Sequence, residues 1–79
     1  MRIVNGTAVE IHYEIKGGPL RMTMSTCDLL PGEEEVWRQP YRGLMPECEV
    51  WIEVGGQTLR ATVSADATVR VTDAGIQVG

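Results

Sequence analysis

One histidine, His12, lies in the alternating run Glu10-Ile11-His12-Tyr13-Glu14. An imidazole flanked by carboxylates is material for a metal site or for acid–base catalysis. On an extended strand, however, alternate residues stand about 6–7 Å apart on one face. That spacing is too wide for adjacent ligands of one ion, so a metal would need Cys or carboxylate ligands from another strand. Ser25, Ser64 and Cys27 are nucleophiles in principle, each requiring a base and an orienting group. With one His and one Lys, Lys16, in the whole chain, few such arrangements can be built. His12 is expected to face Thr23 across a hairpin, with Ser25 one step along, but no nucleophile-elbow motif accompanies them. Gly17-Gly18 and Gly55-Gly56 read as hairpin turns rather than phosphate loops. The expectation is therefore no catalysis, no metal and no cofactor, because alternating charges are how a solvated sheet face reads. The alternative is a small enzyme or metal-binding protein using His12 with Glu10 and Glu14.

The aromatic residues carry a different chemistry. Strand parity places Trp51 off the core face and opposite Arg60, where the guanidinium can stack on the indole. Trp37, Tyr41 and Arg42 precede it in an irregular segment. Trp51, Trp37, Tyr41, Arg42 and Arg60 together make an aromatic and arginine patch of the composition enriched at binding hot spots. A competing arrangement folds the segment Gln39 to Glu47 over Trp51 as a minor core. This is the more economical of the two, since two exposed tryptophans are a solubility liability.

These residues must be positioned by strands. In Cys48 to Ser64 two alternating runs flank Gly55-Gly56. With those glycines as the loop, Val54 faces Gln57, Ile52 faces Leu59, Val50 faces Ala61 and Cys48 faces Val63, one apolar face ready for burial. Ala8 to Lys16 alternates as well, with Val9, Ile11, Tyr13 and Ile15 on one side. With Gly17-Gly18 as its loop, Ile15 faces Leu20, Tyr13 faces Met22, Ile11 faces Met24 and Glu14 faces Arg21. Pro31-Gly32 fits the centre of a type II turn, and Glu33 to Val36 reads as a short strand or turn rather than a helix. Gln39 to Glu47, with two prolines and no periodicity, is the longest loop, held to the core by Leu44 and Met45. Arg2 to Val4 is a short apolar start and a candidate edge strand. An Asn5-Gly6 hairpin would mix its faces with the next strand, so it joins elsewhere. Asn5-Gly6-Thr7 also spells a glycosylation acceptor, for which the turn is the preferred reading. After Ser64, a three-residue loop sets Val63 against Val69 if those strands are neighbours, and Ile76 and Val78 form a last strand opposite Val71.

The fold class expected is all-β: a small antiparallel sandwich or open barrel of about seven short strands, one domain over residues 1–79. The string Asn5, Val9, Tyr13, Gly18, Leu30-Pro31-Gly32, Tyr41-Arg42-Gly43 resembles the spacing in the von Hippel–Lindau β-domain, a sandwich that serves as a binding module. The resemblance implies the fold alone.

A chain of 79 residues buries only about 60–65 % of its unfolded surface, so its core is thin. A net charge of −4 with no Lys/Arg run argues against nucleic acid and against an anionic membrane surface. The start, MRIVNGTAV, lacks the pattern of a signal peptide and no apolar run approaches a transmembrane span. A cytoplasmic chain is expected, unless a leader was removed. Two cysteines are too few for a disulfide framework. Parity puts Cys48 inward and Cys27 on the outward face of Arg21, Thr23 and Ser25, so two reduced thiols are expected. The functional expectation is a non-catalytic binding or accessory module that contacts a protein partner, or a second copy of itself as a homo-oligomer, through a sheet face or edge. A structural subunit of a larger assembly is a further alternative.

Overall fold

The computed structural model describes residues 1–17, 21–38 and 47–79. They form eight strands and no helix: β1 Arg2–Asn5, β2 Ile11–Gly17, β3 Met22–Leu29, β4 Glu34–Val36, β5 Glu47–Val54, β6 Gln57–Ser64, β7 Thr68–Thr72 and β8 Gly75–Val78. Two four-stranded sheets pack face to face, with orders β4-β1-β7-β8 and β3-β2-β5-β6. The expected small all-β sandwich is the observed fold, and among the described residues no helix is long and apolar enough to cross a membrane.

The core follows from strand alternation. Ile11, Tyr13 and Ile15 of β2, Val50 and Ile52 of β5, and Ile3, Val69 and Val71 of the opposite sheet are almost fully buried. Each such side chain removed from water is worth about 1.5–3 kcal/mol. In a chain this small, that central row supplies much of the apolar driving force.

The β5–β6 hairpin has the expected register at every pair, from Cys48 with Val63 to Val54 with Gln57. Gly55 and Gly56 both have positive φ, 57° and 80°, the left-handed pair that a two-residue type I′ loop requires. At Pro31-Gly32 the Glu33 amide donates to the Leu30 carbonyl at 3.0 Å. Gly32 has φ 81°, as a type II turn demands.

The β2–β3 hairpin departs from its expected register. Gly17 pairs with Met22, and a bulge at Met24 follows, so that Ile15 pairs with Ser25, Tyr13 with Cys27 and Ile11 with Leu29. The expected pairs of Tyr13 with Met22 and Ile11 with Met24 are not formed, and Leu20, the expected partner of Ile15, lies outside the described residues. Glu14 pairs with Thr26 instead of Arg21. One inserted residue reverses the parity of everything beyond it. Cys27 therefore points inward and packs against the core, contrary to its expected outward placement. Both cysteines are nevertheless free thiols, lying on strands separated by β2.

Arg2–Asn5 is not an edge strand. It pairs with β4 on one side and runs parallel to β7 on the other, with Ile3 beside Val69 and Asn5 beside Val71. It joins the other sheet, and no Asn5-Gly6 hairpin forms, as the face-mixing argument expected. This parallel pair is the one departure from an antiparallel sandwich among the described strands. The conditional pairing of Val63 with Val69 fails because β6 and β7 belong to different sheets. Ile76 does oppose Val71, with Val78 opposite Val69.

Asn5 is completely buried. Its Nδ2 donates to the carbonyls of Val9 and Leu29 at 2.8 and 3.0 Å, and its Oδ1 accepts from the Thr7 amide and hydroxyl at 2.9 and 2.7 Å. With both ends of the amide engaged, the Asn5-Gly6-Thr7 triplet is a turn and sheet-bridging device. Gly6 lets the backbone pass close: its amide meets the Val71 carbonyl at 2.8 Å, where a Cβ would also fall within 2.8 Å of that oxygen.

Candidate functional site

The outer face of the β3-β2-β5-β6 sheet collects most of the chemically capable side chains. Alternation turns His12, Glu14 and Lys16 of β2, Glu49, Trp51 and Glu53 of β5, and Thr58, Arg60 and Thr62 of β6 outward. Trp51 pairs with Glu14 on one flanking strand and with Arg60 on the other. The Arg60 guanidinium lies 3.8 Å and the Lys16 ammonium 3.9 Å from the indole centroid. One cation thus arrives from each neighbouring strand, and the ring is half-buried among their stems. The indole N–H donates to the Glu49 carboxylate. Lys16 is also 3.7 Å from Glu14, and Arg21 is 3.8 Å from Glu49. Among the described residues no carboxylate lies within ion-pairing distance of Arg60.

The predicted Trp51–Arg60 stack is therefore present. Trp37 follows β4 in the other sheet and packs against the core cluster, so it supports packing there instead of sharing the Trp51 face. Tyr41, Arg42 and all but Glu47 of the segment expected to cover Trp51 lie outside the described residues. Sequence reasoning missed Lys16 as the second cation. Its signal was present only in principle, because finding it requires knowing that β2 is the neighbour of β5.

His12 stands in a second arrangement on this face. Its Nδ1 lies 2.6 Å from the Asp28 carboxylate and its Nε2 lies 3.1 Å from the Thr26 hydroxyl. A carboxylate only accepts, so the neutral imidazole carries its proton on Nδ1 and Nε2 accepts from Thr26. Carboxylate, imidazole and hydroxyl in this order are the geometry of an activated nucleophile. Chemistry also needs donors for a developing oxyanion and a cradle for the substrate. The adjoining cleft, about 390 Å³, is bounded by Glu10, His12, Glu53 and the β5–β6 turn. It opens on the β5 side of the imidazole, whereas Asp28 and Thr26 stand on the β3 side. The hydroxyl therefore faces solvent on an open sheet.

Neither Thr23 nor Ser25 is His12's partner, because the Met24 bulge and the longer connection shift β3 along β2. Ser25 is turned inward, beside the Tyr13 phenol. Glu10 is not in contact with the ring, and Glu14 approaches Nε2 only to 4.0 Å. Among the described residues no group of three His, Cys, Asp or Glu side chains has metal-binding geometry.

Two core groups are perturbed by their surroundings. Burial pushes the Tyr13 phenol above its ordinary value, with the Ser25 hydrogen bond acting against the shift. Burial likewise raises the Cys48 thiol, which makes it a poor nucleophile.

Comparison with protein-family models, with curated proteins and with solved structures finds no match to this chain.

Proposed function

We propose that this chain is a non-catalytic binding module that holds a protein partner against the outer face of the β3-β2-β5-β6 sheet, with Trp51 at the centre and Arg60 as its charged contact. The observation that carries the reading is the Lys16–Trp51–Arg60 stack. A tryptophan on a solvent-side strand position, fixed in orientation by two cations, loses little side-chain freedom when a partner arrives. Tryptophan and arginine are the residues that most often dominate binding energy. Arg60 has a planar fork suited to a partner's carboxylate, and among the described residues no carboxylate already occupies it. The same contact made permanent would serve a structural subunit of an assembly.

Among the described residues the Thr26 hydroxyl beside His12 lies on the opposite side of the ring from the adjoining cleft, which favours the binding reading. The alternative of an enzyme or metal protein built on His12, Glu10 and Glu14 would need further residues beside those three, since among the described residues no group of three His, Cys, Asp or Glu side chains has metal-binding geometry.

The test places a photo-crosslinking residue at Glu53, on the Trp51 face, and separately at Gln77, on the opposite sheet, in cells that make the protein. Adducts with another polypeptide from position 53 but not from position 77, lost on Trp51→Ala, are the expected result. Equal labelling from both positions, or none from position 53, refutes the reading.

A further inference from the structure

We propose that the open edge of β6 pairs with β6 of a second copy, antiparallel, about a two-fold axis through Ala61. This contact uses the sheet edge and not the Trp51 face, so either proposal can fail alone.

The four edge strands are not alike. β4 is three residues long and carries Glu34 and Glu35, and β8 is four residues long. β3 is long but bulged at Met24 and bears Asp28 near its end. Shortness, charge and bulges are how sheets protect their edges from pairing. β6 is neither short nor bulged, and its single charge is Arg60. It is eight residues, QTLRATVS, paired with β5 without a break. It contains no proline and no acidic residue, in a chain with 11 acidic residues. Among the described residues no strand lies beyond it.

The backbone of β6 is already in register for a partner. In a hairpin closed by a two-residue loop, the residues flanking the loop exchange both of their hydrogen bonds. Gln57, Leu59, Ala61 and Val63 therefore direct their amides to β5. Thr58, Arg60 and Thr62 direct theirs to the open side. On the core-facing side Val63 is buried, but Leu59 and Ala61 are only half-buried, and among the described residues no strand covers them from beyond the edge.

Side-chain matching selects both the occupant and the register. Antiparallel pairing that keeps core faces together must set residues of equal parity opposite each other. An axis through Arg60 would oppose two guanidinium groups, which is unfavourable. An axis through Leu59 would set Ala61 against Gln57, and one through Thr62 would carry Leu59 past the end of the strand to Ala65. The axis through Ala61 opposes Leu59 to Val63, Ala61 to Ala61 and Arg60 to Thr62. Every apolar side chain then meets another, and the small Ala61 pair occupies a closely spaced non-hydrogen-bonded position. A strand complementary to itself in this way fits a copy of this chain.

Sedimentation of the intact protein over a range of concentrations is the first measurement, with a dimer expected. Thr62→Pro removes an outward amide while sparing the ladder to β5, a substitution that edge strands tolerate. It should give a monomer with an unchanged β-sheet circular dichroism spectrum. Ala61→Cys should form a disulfide-linked dimer under mild oxidation, and the parent protein, with Cys27 half-buried and Cys48 buried, should not. A monomeric parent protein overturns the proposal. So does a dimer that survives Thr62→Pro, or an Ala61→Cys variant that stays uncrosslinked while dimeric. If Thr62→Pro fails to fold, the Ala61→Cys crosslink alone decides the register.

Discussion

The two hairpins of one sheet, β2–β3 and β5–β6, are similar in length and opposite in construction. β5–β6 is closed by two glycines in the left-handed region and is regular from end to end. β2–β3 begins its pairing at Gly17 with Met22, breaks register at Met24 and has Arg21, a non-glycine residue, at φ 49°. The regular hairpin leaves an edge that another strand can extend. The irregular one spoils its own edge and, by reversing parity, turns Cys27 to the core and Thr26 and Asp28 to His12. Regularity here suits the association we propose, and the bulge serves to place side chains.

The largest expected effect separates the hairpins by burial. Ile52→Ala, at the fully buried centre of β5, should cost about 2–5 kcal/mol. Met22→Ala, on β3 and 65 % exposed, should stay within about 0.5 kcal/mol. Urea unfolding checks both, as a lower midpoint with an unchanged slope for Ile52→Ala and no displacement for Met22→Ala. Equal losses would mean that the core does not lie under β5.

The same contrast explains what could be read from the chain alone. A Gly-Gly pair between two alternating runs fixes loop length, and loop length fixes every pair that follows. In β2–β3 the alternation around Tyr13 is just as clean, but alternation alone is unchanged by any even shift. Gly17-Gly18 is the natural place for the turn, yet Gly17 is already paired with Met22. The bulge at Met24 leaves no mark that parity can detect, so parity puts Cys27 and Ser25 on the wrong face and says nothing of the approach of Thr26 and Asp28 to His12. The stack of Arg60 on Trp51 was legible because one hairpin holds both residues. Lys16 was not, since it reaches Trp51 through the β2–β5 pairing, a contact between distant parts of the chain. The parallel β1–β7 pair is of the same kind. Face-mixing at Asn5-Gly6 could exclude a hairpin there but could not say where β1 goes.

A smaller effect compares the two turns directly. Gly56→Val places a branched side chain at φ 80° and should cost about 1–2 kcal/mol. Arg21→Gly relieves the same kind of strain in the other hairpin. It should be neutral or stabilising by up to about 1 kcal/mol, the lost Glu49 contact at an exposed site being worth little. Substitutions in opposite directions are thus expected to shift the thermal midpoint in opposite directions. A loss from both would show that Arg21 is held by its contacts more than it is strained.

Alkaline titration tests one buried acid from each hairpin. Tyr13 on β2 and Cys48 on β5 both have pKa values raised by burial. A group whose folded pKa lies above its unfolded one binds its proton more tightly when folded. Its contribution is complete below the unfolded value and lost as pH climbs through the folded one. Stability should therefore be flat through neutrality with respect to these groups and fall above the ordinary values, 9.0 for the thiol and 10.0 for the phenol. Cys48→Ala should remove the earlier part of that fall and Tyr13→Phe the later part, in unfolding measured at successive pH values. A fall unchanged in both variants would place its origin elsewhere.

The smallest effect is also the one that joins the hairpins, because Trp51 takes one cation from each. Double-mutant cycles of Trp51→Leu with Arg60→Ala and with Lys16→Ala should give couplings of about 0.5–1 kcal/mol each. Salt distinguishes them. Lys16 divides its charge between the indole and Glu14 at 3.7 Å, so removing it alters an ion pair as well as the stack. Its apparent coupling should fall as ionic strength rises. Arg60 has no carboxylate neighbour among the described residues, and its planar guanidinium stacks by dispersion as well as charge, so its coupling should hold. If both couplings vanish together in salt, the tryptophan is held by charge alone. The indole would then be free to reorient at physiological ionic strength, and the pre-ordered contact on which the binding proposal stands would be gone.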